Sequence, residues 1–198
     1  MVWAPDYITV ADARAYLRVV DTADDAEIQG WVSTASRDID DHCNRQFGQV
    51  DAAEERRYTA WWDVYRRRWV VDIDDLDDDT GLAVQVDGTA VTAYTLEPVN
   101  AVLTGKVWTR LVFSPDAEVQ PSGAEHEVAV TALWGWTTVP AAVTHAVRLQ
   151  MSRFAARRDS PYGIAGSPDQ GSELRLLSRL DPDVVVSLRG YVRTRRPR

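Results

Sequence analysis

The 198-residue chain has a single cysteine, Cys43, so it can form no internal disulfide and no cysteine-based zinc cage of its own. We expect Cys43 to pack as a small hydrophobic residue. No apolar run approaches the roughly 20 residues that a membrane-spanning helix needs, and the N-terminus lacks the basic stretch and apolar segment of a secretory signal. These absences predict a protein that folds in the cytoplasm where it is made and does not enter a membrane.

The charges are unevenly distributed along the chain. The formal net charge is -8, yet five of the 22 basic residues lie in the last ten positions, Arg189 to Arg198, which contain no acidic residue. Without those five arginines the net charge is -13. An acidic body with a basic tail argues against nucleic-acid binding over most of the surface and indicates one cationic arm for a partner.

Helical spacing of apolar residues begins near the N-terminus. Thr9 with Asp12 three residues later is typical of a capping box and predicts a first helix over about residues 10–20. Thr22 and Asp25 repeat this start signal, and the following apolar stripe predicts a second helix that ends near Phe47-Gly48. We expect the two helices to form an antiparallel hairpin.

Helical spacing returns near the C-terminus. Pro140 opens an apolar stripe that predicts a third helix to about Arg158, and Asp181-Pro182 predicts a short last helix that ends near Arg189. The segment from Ser160 to Gly171 is rich in glycine and proline and predicts a mobile loop.

Alternating apolar residues predict a β region from Arg56 to Trp136, folded as a small sandwich or barrel. Asp87-Gly88 within it is a strong hairpin signal. The predicted fold class is therefore α+β, with a helical domain (a helix hairpin, a long third helix and a short C-terminal helix) interrupted by an inserted small antiparallel β domain. The predicted boundaries are 1–49 and 138–190 for the helical domain, 50–137 for the β domain and 191–198 for a basic C-terminal arm.

Enzyme chemistry is not indicated by the residue pattern. The three histidines, His42, His126 and His145, fall in different predicted elements without ligand or catalytic spacing. Asp75, Asp77 and Asp79 have the alternate spacing of a calcium loop, but Val86 stands at the twelfth position, where that loop requires glutamate. We predict no catalytic residues, no metal and no cofactor.

Eight tryptophans are many for this length, and several lie in or beside the β region. Exposed tryptophans could stack on sugars, so a carbohydrate-binding or other tail-associated binding module is an alternative function. Packing in the core or between subunits is the favoured interpretation, because Val130, Ala132, Trp134 and Trp136 share one face of a strand.

Several segments, taken in order, resemble the head-to-tail adaptors of tailed bacteriophages, in particular those of actinobacteriophages. The N-terminal part is carried by Tyr7-Ile8-Thr9-Val10-Ala11-Asp12-Ala13-Arg14-Ala15-Tyr16-Leu17-Arg18-Val19 and by Asp24-Asp25-Ala26-Glu27-Ile28. The C-terminal part is carried by 139–142, 152–163 and 179–184, and the β insertion by 98–101 and 108–111.

The resemblance implies a structural protein of the virion neck that is made in the host cytoplasm and has no catalytic residues. It implies a ring of about twelve copies docked on the portal protein, with the next neck or tail protein bound below. DNA would cross the central channel without specific binding.

Two sets of site residues follow as hypotheses. The first is a portal-binding arm, disordered in the free protein, whose arginines would pair with carboxylates while an aromatic and an aliphatic side chain fill a pocket. It comprises Arg189, Tyr191, Val192, Arg193, Arg195, Arg196 and Arg198. The second is a channel-facing acidic surface that repels DNA phosphates, formed by Asp72, Asp74, Asp75, Asp77, Asp78 and Asp79.

Overall fold

The computed structural model describes residues 4–158, 164–165, 174–175 and 180–194. The described chain divides into two compact units. One unit, which we call the β unit, spans Phe47–Thr138; the other, the terminal unit, combines Ala4–Gln46 with the described residues from Val139 onward.

The described part of the terminal unit contains four helices and one short antiparallel strand pair. The helices are α1 (Val10–Leu17), α2 (Asp25–Cys43), α3 (Ala141–Arg158) and α4 (Pro182–Leu188), and the strands are β9 (Ile164–Ala165) and β10 (Leu174–Arg175). The predicted capping box is confirmed, because the Thr9 hydroxyl accepts the Asp12 N–H and the Asp12 carboxylate accepts the Thr9 N–H. Left-handed residues end the first two helices earlier than predicted, Arg18 at φ 60° and Asn44 at φ 52°.

The helices of the terminal unit pack through an apolar stripe on each element. Two polar contacts fix the relative direction of α2 and α3: Arg158 forms an ion pair with Glu27 at 3.0 Å near the start of α2, and Gln150 donates a hydrogen bond to Asp38 further along α2. The two helices are therefore antiparallel. The buried stripe consists of Ala13, Ile28, Val32, Ala35, Ile39, Cys43, Val143, Ala146, Val147, Met151, Val184 and Leu188.

The described β unit contains two antiparallel sheets of four strands each. One sheet has the order β1-β8-β4-β5 and the other the order β2-β3-β7-β6. The strands are β1 (Glu54–Tyr58), β2 (Trp61–Asp63), β3 (Arg68–Leu76), β4 (Ala83–Val86), β5 (Thr89–Ala90), β6 (Tyr94–Glu97), β7 (Trp108–Phe113) and β8 (Val128–Ala132), with a single 3-10 turn at Val102–Thr104.

The core of the β unit draws side chains from both sheets. Val71 and Ile73 of β3 and Leu111 of β7 meet Val84 of β4 and Val130 of β8 in one buried cluster. The alternation of buried and exposed residues along β4 is the pattern expected of a sheet with one covered face. The predicted Asp87-Gly88 hairpin is confirmed: both residues have positive φ and join β4 to β5.

The predicted fold class is wrong. A helical domain with a small β insertion is not what the described residues form: they form a mixed structure with four helices and two four-stranded antiparallel sheets that share a core of their own. The terminal unit is not purely helical either, since it contains β9 and β10. The extent of the sheets was underestimated because β1, with the sequence EERRY, is a charged edge strand. Such strands lack the apolar alternation that indicates a sheet.

Candidate interaction site at the C-terminal segment

The C-terminal segment, defined here as Pro182–Thr194, begins with a capped helix. The Asp181 carboxylate accepts the Asp183 N–H at 2.9 Å, and Pro182 occupies the first turn, where its missing N–H costs nothing. Asp181 also forms an ion pair with Arg153 of α3 at 3.1 Å. With Val184 and Leu188 fully buried, α4 is fixed to the rest of the terminal unit.

The chain beyond α4 returns to the end of α2. The Tyr191 N–H donates to the Leu188 carbonyl, and the Arg193 N–H donates to the Cys43 carbonyl, each at 2.8 Å. The last carbonyls of a helix have no partner within the helix, so Arg193 satisfies one that α2 leaves open. The prediction of an arm that is disordered from residue 189 onward is therefore wrong for 189–194.

The portal-binding hypothesis concerned seven residues, of which the structure describes four. Arg189 and Val192 are exposed, whereas Tyr191 and Arg193 are half-buried. The other three, Arg195, Arg196 and Arg198, lie outside the described residues. The described four lie within one short stretch directly after α4.

Two apolar residues that the sequence analysis did not select are exposed in the same short segment. Val185 is 39% exposed and Val186 62% exposed, beside Val192 at 39%. The sequence Val184-Val185-Val186 could have indicated these exposed valines. Consecutive residues of a helix point in different directions, so the three cannot all be buried in an amphipathic helix. Exposed valines and an exposed arginine within one short segment are typical of a surface that binds a partner.

The six aspartates of the predicted acidic surface do not form one exposed wall. Asp75 is only 3% exposed, and its carboxylate accepts the indole N–H of Trp136 at 2.9 Å. Its place in an exposed acidic surface is therefore a wrong prediction. Asp75 follows Val71 and Ile73 at alternate positions of β3, and all three side chains are buried. Extending this strand alternation by two residues could have predicted that Asp75 is buried.

Three more of these carboxylates bind groups within the β unit. Asp72 accepts from Arg110 at 2.9 Å and from the Trp61 indole at 3.1 Å. Asp74 accepts from Arg56 at 2.9 Å and from the Tyr58 hydroxyl at 3.1 Å. Asp77 binds the backbone N–H and the hydroxyl of Thr137. These contacts hold strands and turns together, and the two arginines offset the charges of Asp72 and Asp74, which leaves less negative charge to repel DNA.

The remaining two aspartates lie in the turn after β3. Asp79 is exposed, and Asp78 is half-exposed, with its carboxylate accepting the Thr80 N–H at 2.9 Å. Hydrogen bonds from Thr80, through its side chain first and its backbone second, lower the pKa of Asp78. Within the described residues no group of three or more His, Cys, Asp or Glu is arranged to hold a metal ion.

The tryptophans were the basis of the alternative sugar-binding function. Trp134 and Trp136 are buried in the β unit, Trp134 against Tyr58 and Trp136 against Phe47. Trp62 is exposed, but Trp69 packs edge-on against it, with ring centroids 5.3 Å apart and planes at 67°. This edge-on pair is not a coplanar platform of the kind on which a sugar ring stacks.

Comparison with known proteins assigns the chain to no group: no family model matches it, and no curated protein matches it. None of the described helices is long and apolar enough to cross a membrane.

Proposed function

We propose that this chain is a structural head-to-tail adaptor of a tailed-bacteriophage neck, and not an enzyme. It would form a ring on the portal protein, continue the DNA channel and present a platform to the next neck or tail protein. The ordered series of segments that resembles this class of protein supports the proposal. The structural observation that carries it is the C-terminal segment, which is fixed at its root and exposes apolar and cationic side chains together.

The exposed valines of the C-terminal segment supply the apolar part of the proposed portal contact. Burying a valine side chain completely stabilises a complex by about 1.5 kcal/mol, and Val185, Val186 and Val192 are each already partly covered. The three together would contribute about 2 to 3 kcal/mol for each copy. A dissociation constant of 1 mM already requires about 4 kcal/mol, so one copy binds weakly.

The arginines supply the second part of the contact. Arg189 is exposed, and the sequence places Arg195, Arg196 and Arg198 directly after the described segment. Guanidinium groups pair with carboxylates through two parallel hydrogen bonds, so the fitting partner surface is apolar at its centre and acidic at its rim. Weak contacts repeated around a ring give firm attachment, because each later contact forms at high effective concentration.

The decisive experiment measures binding to the purified portal protein of the same phage. Val186→Asp should weaken binding at least tenfold, because it places a charge in an apolar contact. Val20→Asp is the matched control, since Val20 is a valine of the terminal unit that is 94% exposed and lies outside the C-terminal segment. Both variants should melt like the parent protein.

A chain that ends at Thr194 tests the arginines separately. Removing 195–198 keeps the Arg193 contact to Cys43, whereas a cut before Tyr191 would remove it and confuse binding with stability. We expect the shortened chain to keep its melting temperature and to lose portal binding. Equal binding by Val186→Asp, Val20→Asp and the shortened chain would contradict the proposed anchor, and no binding by the parent protein would contradict the adaptor function itself.

The proposal also concerns DNA, which would pass the ring without being gripped. The exposed carboxylates of the body, such as Asp79, would repel the duplex, which carries about one phosphate charge per 1.7 Å. Protein that ends at Thr194 should show no duplex binding at physiological salt in an electrophoretic mobility assay. Measurable binding would contradict the idea of a repelling wall.

A further inference from the structure

The turn between β2 and β3 projects two uncovered apolar side chains from the β unit. Val64 is 73% exposed and Tyr65 is 99% exposed. The turn is nonetheless ordered, because the Asp63 carboxylate accepts the backbone N–H groups of Tyr65 at 3.0 Å and Arg66 at 3.1 Å. A tyrosine that is fully exposed on an ordered turn offers a partner a large, partly apolar ring to bury.

Two further contacts restrict the same turn. Arg66 binds Glu97 through two hydrogen bonds, at 2.8 and 2.9 Å, and so ties the turn to the end of β6. Behind the turn, Trp62 and Trp69 pack edge to face. Because the backbone that presents Tyr65 is already fixed, less conformational entropy is lost when a partner binds it.

The turn is also cationic on an acidic body. Arg66, Arg67 and Arg68 are consecutive, and they are three of only seven basic residues in Phe47–Thr138, which contains 16 acidic ones. Arg66 is neutralised by Glu97, but within the described chain neither Arg67 nor Arg68 forms an ion pair with a carboxylate. Arg67 has φ 54°, a left-handed backbone conformation that interrupts the extended path of the chain at the turn.

We infer that the β2–β3 turn, Val64–Arg68, is the surface through which one copy of this chain contacts a second copy. Charge complementarity indicates that the partner is a second copy. The β unit exposes Asp79, Asp116, Glu118 and Glu125, and none of these carboxylates forms an ion pair within the described chain. Arg67 and Arg68 can therefore pair with them on a neighbouring molecule. Tyrosine and arginine are the residue types that most often dominate binding at protein interfaces.

A contact of this kind is compatible with a ring. The turn and the acidic surface that receives it are different parts of the molecule, so the contact is head-to-tail, and a head-to-tail contact closes into a ring when its rotation allows. In this respect the inference rests on the proposed function, since it names the contact between neighbours in the proposed ring.

An anionic membrane is the other surface that an aromatic and basic turn could meet. The second copy is favoured because the acidic body around the turn would be repelled by an anionic bilayer over most of its area. The experiment below contains an arm that separates the two.

Photo-crosslinking tests the contact even when it is weak. Tyr65→p-benzoylphenylalanine places the reactive group on the turn, and Val20→p-benzoylphenylalanine is the control at an equally exposed residue of the terminal unit. The protein is irradiated at millimolar concentration, and in parallel on the portal protein, and crosslinked peptides are identified by mass spectrometry. We expect the Tyr65 probe to give a covalent dimer that joins the turn to an acid-rich peptide of Phe47–Thr138, and the Val20 probe to give none.

Charge reversal then tests the physical basis. Combining Arg67→Glu with Arg68→Glu in the probe-bearing chain should reduce the dimer about tenfold, as should raising the salt concentration to about 1 M. Absence of a dimer both in solution and on the portal would overturn the inference, as would a dimer that charge reversal leaves unchanged. Binding of the parent protein to phosphatidylserine vesicles without any dimer would also overturn it, in favour of a membrane.

The inference and the proposed function can fail separately. If Val186→Asp abolishes portal binding while the Tyr65 probe captures no second copy, the adaptor function stands and the β2–β3 contact is refuted. If the Tyr65 probe captures a second copy but the parent protein binds no portal, the self-contact stands and the adaptor function is refuted.

Discussion

Gly135 is the position at which one added methyl group should cost the most stability. It lies between Trp134 and Trp136 with φ +113°, and its N–H donates to the Asp75 carbonyl at 2.7 Å. A Cβ at this position would lie 1.9 Å from the Gly48 carbonyl oxygen. Since that oxygen belongs to the backbone, the methyl group of Gly135→Ala can be accommodated only if two chain segments separate.

The cost has three parts that the structure identifies. The φ of Gly135, +113°, lies well beyond the left-handed helical region at about +57°, so alanine is strained there by about 1 to 3 kcal/mol. Separation of the segments breaks the hydrogen bond from the Trp136 N–H to the Gly48 carbonyl, about 1 kcal/mol. It also displaces the Trp136 indole from the buried Asp75 carboxylate, about 1 to 3 kcal/mol. The total is about 3 to 7 kcal/mol, which approaches the whole stability of many domains.

Gly88→Ala is the matched control. Gly88 also has positive φ, +79°, but a Cβ there would meet nothing within 4 Å, so only the conformational cost of about 1 kcal/mol remains. Urea unfolding followed by tryptophan fluorescence is a suitable assay, because six of the eight tryptophans lie in Phe47–Thr138. At a slope of about 2 kcal/mol per molar urea, Gly135→Ala should lower the midpoint by at least 1.5 M and Gly88→Ala by about 0.5 M. Equal midpoints for the two variants would refute the close approach at Gly135.

Three further outcomes are expected in the terminal unit. Gly30→Ala should stabilise the protein by about 0.5 to 1 kcal/mol, because Gly30 is an exposed residue inside α2 with free space around it; a lower urea midpoint would contradict this. Burial raises the pKa of Asp40 from 3.8 to about 6, so stability should fall by about 3 kcal/mol as pH rises from 4 to 6 and then level off. Asp40→Asn should remove most of this pH dependence, and an unchanged profile would refute it. Burial also raises the pKa of Cys43 to about 11, so Ellman's reagent should label it only after unfolding.

Local signals in the sequence predicted the helices well. The Thr9 capping box, the third helix ending at Arg158 and the Asp181 cap are all found where the sequence placed them. Each depends on residues within a few positions of one another, so the chain itself carries the information. Helix ends were less accurate, since Arg18 and Asn44 adopt left-handed conformations that residue type alone does not require.

The sheets were predicted less well, because their organisation depends on residues far apart in the chain. The β unit pairs β1 with β8, so that Tyr58 lies opposite Val128. Nothing near Tyr58 in sequence identifies this partner. The aspartates from Asp72 to Asp79 were likewise predicted to form an exposed surface. That prediction followed from their charge and ignored the inward and outward alternation of side chains along a strand. In the structure β3 includes the first part of this segment, as far as Leu76, and the Asp75 side chain points inward to Trp136.

The candidate site combines both kinds of information. The sequence identified the arginines of the tail and the Asp181-Pro182 helix start, which are local features. It could not identify the carbonyl of Cys43 as the partner of the Arg193 N–H, because 150 positions separate the two residues. That single contact fixes the chain as far as Arg193, so little ordering entropy is lost when the described part of the C-terminal segment binds a partner. The exposed valines of α4 are fixed before any partner arrives, so burying their remaining exposed area in the proposed portal contact carries little ordering cost.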